Sequence, residues 1–239
     1  MNNLRTTFTG IEFQNPFLVS SAPPTTNGHM VKKAFRAGWG GAVLKTIGLT
    51  LTPNPCPRVQ IVREGRNKTG MVNIELITDI PLEQWVNEIK SIRDEFPDRP
   101  IIASIMGGGQ PEDWQEVVTT LEPHGINGFE MNVSCPNFAH GGRGAQLGQD
   151  PETLQQAVEW VRQATKLPLW VKLTPNVSDI TALARVAIEA GADAITATNT
   201  LSGLAGIDLD QLSPLPTVDG IGTFGGYSGP GLKPVALRC

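Results

Sequence analysis

From Phe17 to Val235, short apolar runs alternate with amphipathic stretches of helical length, a pattern that predicts parallel strands linked by helices and hence an α/β protein. Strands are expected at 17–19, 42–45, 101–105, 128–132, 169–173 and 194–197, with helices at 28–37, 82–96, 111–124, 151–165 and 179–190. Start signals mark two of the helices: Asp150 before Pro151, and Ser178 before the turn at Asp179. Ahead of the first strand, residues 6–9 and 11–13 flank Gly10 as a small hairpin, so residues 1–16 read as a plug for one end of a barrel.

Polar residues gather where the strands run out. Ser20 and Ser21, Lys45 and Thr46, Asn132 and Ser134, Lys172 and Thr174, and Thr198, Asn199 and Thr200 all follow apolar strand positions. In a (β/α)8 TIM barrel these positions share the rim where active sites are built. An open doubly wound sheet would gather only those beside its strand-order switch, too few to account for so many contributing strands. A barrel needs eight strands, whereas six are recognised here, and Lys233 to Cys239 reads as the opening of a sixth helix. The expectation is therefore that residues 1–239 form a single barrel domain broken off in or near that helix. On the order of 60 residues would be missing. Exposed strand edges at 17–19 and 194–197 would leave such a piece marginal or aggregation-prone.

Composition narrows the function. Of the 239 residues 40% are hydrophobic, enough for a sizeable core, and the net charge of −4 is spread without a basic stripe, which argues against a nucleic-acid partner. The first residues carry no apolar run behind their charge and no stretch has the length of a bilayer span, so a cytoplasmic protein is expected. Cys56, Cys135 and Cys239, like His29, His124 and His140, are too scattered for a metal cluster or a disulfide framework.

The stretch Asn132-Val-Ser-Cys-Pro-Asn137 sets a thiol between two amides at the end of a strand that Pro136 terminates, and a loop with Gly141, Gly142, Gly144 and Gly148 follows. A cysteine at the root of a glycine-rich loop can be carried into and out of a pocket. The competing reading is a buried small hydrophobe, but polar neighbours are poor company for one.

Ordered motifs run along the chain: Ala37-Gly-Trp-Gly-Gly41, Leu44-Lys-Thr46, Asn73-Ile-Glu75, Ile102-Ala-Ser-Ile-Met106, Asn132-Val-Ser-Cys-Pro136, Gly148-Gln-Asp-Pro-Glu152, Lys172-Leu-Thr-Pro-Asn176 and Ala197-Thr-Asn-Thr200. Together they resemble the dihydropyrimidine dehydrogenases, a group that belongs with the FMN-dependent dihydroorotate dehydrogenases. The resemblance implies a dihydroorotate dehydrogenase-like TIM barrel that binds FMN and reversibly reduces the C5–C6 bond of uracil or thymine in pyrimidine catabolism. Hydride passes from flavin N5 to C6, and Cys135 matches the general acid that protonates C5. It further implies pyrimidine contacts from Asn73, Glu75, Asn132, Ser134, Asn199 and Thr200, whose amides and carboxylate suit alternating ring donors and acceptors.

Flavin contacts are implied for Ser21, Ala22, Lys45, Thr46 and Gly229, and for Lys172 near N1 and C2=O, where a cation stabilises the reduced ring. Electrons from NAD(P)H would come through a separate flavoprotein partner subunit, since no dinucleotide fingerprint is present. Fe-S clusters would lie in that partner or in a C-terminal segment, and the assembly is expected to be oligomeric. Three rivals stand beside this reading. A class 1 dihydroorotate dehydrogenase would want a cation where Glu75 stands. A barrel aldolase would use Lys172 as a Schiff-base amine. A non-catalytic barrel fragment would merely bind a partner chain.

Overall fold

A computed structural model describes residues 4–51, 53–133 and 147–239. The chain opens with a hairpin of β1 (Thr6–Phe8) and β2 (Ile11–Phe13), turned at Thr9 and Gly10, both at positive φ. There follow β3 (Leu18–Val19), α1 (Gly28–Arg36), β4 (Gly41–Val43), β5 (Val59–Glu64), β6 (Asn67–Asn73), α2 (Leu82–Glu95) and β7 (Ile101–Ile105). Next come α3 (Pro111–Leu121), β8 (Gly128–Asn132), α4 (Pro151–Ala164), β9 (Leu169–Leu173), α5 (Ile180–Glu189) and β10 (Ala194–Ala197). The chain continues through β11 (Leu201–Gly203), β12 (Gly206–Asp208), β13 (Ser213–Leu215), β14 (Thr217–Val218), β15 (Ile221–Gly222), β16 (Gly225–Ser228) and α6 (Lys233–Arg238).

The main sheet is parallel throughout, with six strands in the order β10-β9-β8-β7-β4-β3. Order in space follows order in the chain without a reversal, which is the winding of a barrel and not of a doubly wound sheet. Among the described residues β3 and β10 are its two edges.

Side chains alternate across a strand, so each strand feeds two environments. Ala42, Ile101, Ala103, Ile105, Phe129, Met131, Leu169, Val171 and Leu173 face the helices and join one core with Phe35, Trp85, Ile89, Trp114, Val118, Val158 and Leu183. The opposite face carries Val43, Ile102, Trp170 and Ala194 at its N-terminal end, packed with Ile11 and Phe13 of the hairpin. Trp170 is fixed there by an edge-on contact with Phe8 at 5.5 Å and a hydrogen bond from its Nε1 to Thr9 Oγ1 of 3.0 Å.

Several element ends differ from the sequence expectation for local reasons. The strand expected at 42–45 stops at Val43, because the chain bulges at the next residues. α3 ends at Leu121 and tightens into a 3-10 turn, Glu122–His124, since Pro123 has no N–H to continue the ladder and Gly125 then takes φ 89°. The cap of α5 is Asp179, not Ser178: its Oδ1 accepts from Thr181 N at 2.9 Å, and Thr181 holds the carboxyl below the usual range. Asp150 caps α4 as expected, accepting from Thr153 N at 3.0 Å.

The sequence pattern did not anticipate a second, four-stranded sheet of order β11-β16-β6-β5, nor the small pairs β12-β13 and β14-β15. That second sheet packs by close backbone approach. A Cβ on Gly70 would fall 2.3 Å from the Tyr227 ring, and one on Gly226 would fall 2.1 Å from Thr200 Oγ1. Its glycines are therefore strand residues at tight contacts, although in a sequence they read as loop signals.

Candidate active site

Beyond the apolar layer of the inner face, the same alternation places Ser104, Glu130, Asn132, Lys172 and Thr196 toward the C-terminal ends of the strands. Lys45 and Thr46 join them by a different route. Leu44 N bonds Ile102 O and Ile47 N bonds Ser104 O, so this chain advances three residues while β7 advances two. The extra residue is a bulge, and it lets two consecutive side chains reach one cavity where a regular strand would send them to opposite faces.

A cavity of about 350 Å³ occupies this rim. It is lined by Ser21 and Ala22 after β3, Lys45 and Thr46 after β4, Asn132 and Lys172 on β8 and β9, and Asn199 and Thr200 after β10. Met71 and Asn73 of β6, Glu75 beyond it and Ser228 of β16 bring the second sheet to the same cavity.

A chain of hydrogen bonds ties the rim together. Asn199 Nδ2 donates to Asn132 Oδ1 at 3.0 Å, and Asn132 Nδ2 donates to Thr46 Oγ1 at 3.1 Å. The Thr46 hydroxyl also lies 3.0 Å from Ser104 Oγ and 3.3 Å from Ser21 Oγ. The ends of five strands, β3, β4, β7, β8 and β10, are thereby tied together through Asn132 and Thr46. Asn73 Oδ1 accepts from Glu75 N at 2.6 Å, so it makes the local turn bond common for asparagine while also lining the cavity.

Glu75 is buried, and both carboxylate oxygens are engaged. Oε2 is 2.6 Å from Lys45 Nζ and Oε1 is 3.0 Å from Arg58 Nη1. Arg58 continues to Asp79 Oδ2 at 2.5 Å, and Asn54 bonds the other Asp79 oxygen at 2.5 Å. Asp79, and then Glu75, raise the Arg58 pKa. Burial alone would raise that of Asp79, but the bonds from Asn54 and Arg58 outweigh it and hold the carboxyl below its ordinary value. The negative charge expected to repel an anionic pyrimidine is thus matched by two cations.

Gly229 does not line the cavity. At φ 132° it lies against β6, where a Cβ would come within 2.8 Å of Gly70 Cα, while its neighbour Ser228 and nearby Leu232 do line it. Ser134 and Cys135 lie outside the described residues. Sequence reading gave no role to Ser104 and Glu130, and placed Thr198 only among the polar residues at strand ends. The first two carried a usable signal, being polar residues in step with inward-facing Ile102 and Asn132 on otherwise apolar strands. Thr198 Oγ1, at the cavity wall, is buried with no hydrogen-bond partner among the described residues. With Lys45, Lys172, Asn132 and Asn199 it makes a donor-rich lining suited to a ring system edged with carbonyls and nitrogens.

Among the described residues no group of His, Cys, Asp and Glu is placed to hold a metal ion, and no helix is long and apolar enough to cross a membrane. The singly wound parallel strands and their polar rim define a TIM-barrel protein, and the chain belongs to the dihydroorotate dehydrogenase family, whose model matches residues 3–239. It is 39% identical to the chloroplastic dihydropyrimidine dehydrogenase (NADP(+)) of Arabidopsis thaliana, the match covering 98% of this chain and 57% of that protein. It is 37% identical to the NAD-dependent dihydropyrimidine dehydrogenase subunit PreA of Escherichia coli (strain K12), covering 99% and 57%. Identity is 36% to the catalytic subunit of dihydroorotate dehydrogenase B (NAD(+)) from Pyrococcus furiosus, covering 96% and 71%. The chain thus spans little more than half the length of its dihydropyrimidine dehydrogenase relatives.

Proposed function

We propose that this chain is the FMN-carrying barrel of a dihydropyrimidine dehydrogenase, with residues 1–239 as one cofactor-binding unit, 1–16 as its plug, and uracil or thymine as substrate. The observation that carries the reading is the convergence on one cavity of side chains that the sequence scatters between Ser21 and Thr200. FMN supplies a two-electron hydride donor and acceptor. Lys172, at the end of β9, offers a fixed ammonium for the negative charge that a reduced flavin carries, and Ser21, Ala22, Lys45 and Thr46 line the cofactor side.

Asn132 and Asn199 present paired amide donors and acceptors to a pyrimidine, with Thr200 and Asn73 beside them. Their mutual hydrogen bond fixes both amide planes before substrate arrives. When C6 receives hydride, C5 must gain a proton. Cys135, three positions after Asn132 in the chain, is assigned as its donor, because a thiol with an ordinary pKa of ~8.5 is protonated near neutrality yet able to release its proton. Two of the relatives are named as subunits, which supports a separate NAD(P)H-oxidising flavoprotein or Fe-S partner.

A dihydroorotate dehydrogenase is the second reading, favoured by the neutralisation of Glu75 by Lys45 and Arg58 and by the 36% identity to the archaeal enzyme. Assaying the full-length gene product, loaded with FMN, on uracil and on orotate separates the two. Uracil turnover that falls ~10²- to 10⁴-fold in Cys135→Ala is expected. Turnover of dihydroorotate alone supports the second reading, and undiminished uracil turnover in the variant overturns the assigned proton donor.

A further inference from the structure

Beneath the cavity lies a buried carboxylate that the proposed chemistry does not use. Glu130 is 3% exposed on the inner face of β8, between apolar Gly128 and the rim residue Asn132. Its Oε2 accepts from Thr196 Oγ1 at 2.8 Å. Its Oε1 has no hydrogen-bond partner among the described residues and lies 4.0 Å from Lys172 Nζ. Burying a carboxylate with one oxygen unsatisfied costs stability that a glutamine or an apolar residue there would not, so packing does not account for it. Glu130 does not line the cavity and Lys172 does, which puts the carboxylate behind the ammonium as seen from a bound ligand.

We infer that Glu130 is a positioning residue that sets how much positive charge Lys172 presents at the cavity, and thereby how strongly the site prefers reduced over oxidised flavin. The inference rests on the FMN reading above. The pairing distance explains how it works. At 4.0 Å the two groups are too far apart for a tight hydrogen bond, so the coupling is coulombic and the field of the ammonium is partly cancelled by a fixed negative charge nearby. Cross-strand register holds the arrangement: Lys172 pairs with Asn132 on one side and Thr196 on the other, so the three strands that carry Glu130, Lys172 and Thr196 cannot shift independently. With Glu130 in place, the affinity of the site for the reduced, negatively charged ring is moderated and the couple can run in both directions.

The test is the ratio of reduced to oxidised FMN affinity in the full-length, FMN-loaded protein, obtained from the midpoint potential by dye-coupled titration. Glu130→Gln keeps the shape and the Thr196 contact but removes the charge. It should shift the ratio at least tenfold toward reduced FMN, which is about 30 mV more positive for a two-electron couple. Thr196→Val removes the hydrogen bond and keeps the charge, and should move the ratio less than twofold. Should Glu130→Gln fail to fold, Glu130→Asp retains the charge and should stay within threefold of wild type, and a tenfold shift there overturns the inference. An FMN-loaded Glu130→Gln protein with an unshifted ratio, or a shift in Thr196→Val of the same size, also overturns it and leaves the functional reading standing. Wild-type protein that takes up no FMN overturns both.

Discussion

The two faces of the parallel sheet share one backbone yet obey different rules. The outer face is apolar from end to end, because helices cover it from β4 to β9 and leave no water there to satisfy a polar group. The inner face changes character partway along each strand. Val43, Ile102 and Trp170 give way within two residues to Lys45, Ser104 and Lys172. The hairpin β1–β2 seals the first half, while a cavity opens over the second. Folding is served by the outer face, and chemistry is confined to the half of the inner face that nothing apolar covers.

If that division holds, substitutions on the two faces should separate stability from binding. Phe129→Ala, fully buried on the outer face, should cost about 3–5 kcal/mol in urea denaturation, while the folded fraction keeps its ligand affinity. Glu75→Leu should cost a comparable amount, about 3–5 kcal/mol, for a different reason: it strands Lys45 as a buried, unpaired cation. The pair Glu75→Leu with Lys45→Met should recover most of that loss. A double variant no more stable than the single one would show that the pair is not what holds this corner.

Asn132→Ala removes two side-chain hydrogen bonds, at about 0.5–1.5 kcal/mol each, yet should weaken uracil binding about tenfold or more by equilibrium titration. Equal damage to stability and binding at Asn132 would erase the contrast between the faces. The smallest effect concerns the exposed tie at Asp79. Its folded pKa is depressed, so its contribution is present above the unfolded carboxylate value of about 3.9 and is lost as pH falls through the lower folded value. The gap between wild type and Asp79→Asn, no more than about 1 kcal/mol for so exposed a group, should therefore close on acidification below about pH 4. A gap that persists unchanged in acid would mean that the carboxylate's charge does not matter there.

The six parallel strands and five of the helices were legible because each repeats one short apolar run and one amphipathic stretch, and burial on both faces leaves little ambiguity. The rim was legible for the same reason, since polar residues at strand ends stand out against apolar runs. The second sheet was not. Met71 and Tyr227 lie on strands interrupted by Gly70 and Gly226, and a glycine demanded by a close approach cannot be told from one that makes a turn until its neighbour is known.

Chain chemistry alone, through the two-residue repeat of a strand and the capping preference of Asp150, settled where the parallel strands and their helices lie and that the rim is polar. Assembly in space settled the electrostatics of that rim. Glu75 reads as an open negative charge in the sequence and becomes the shared anion of Lys45 and Arg58 in the fold, while Glu130 becomes the counter-charge behind Lys172. Charge pairing depends on distances of a few ångströms between residues as much as 42 positions apart, and only the packed barrel defines those distances.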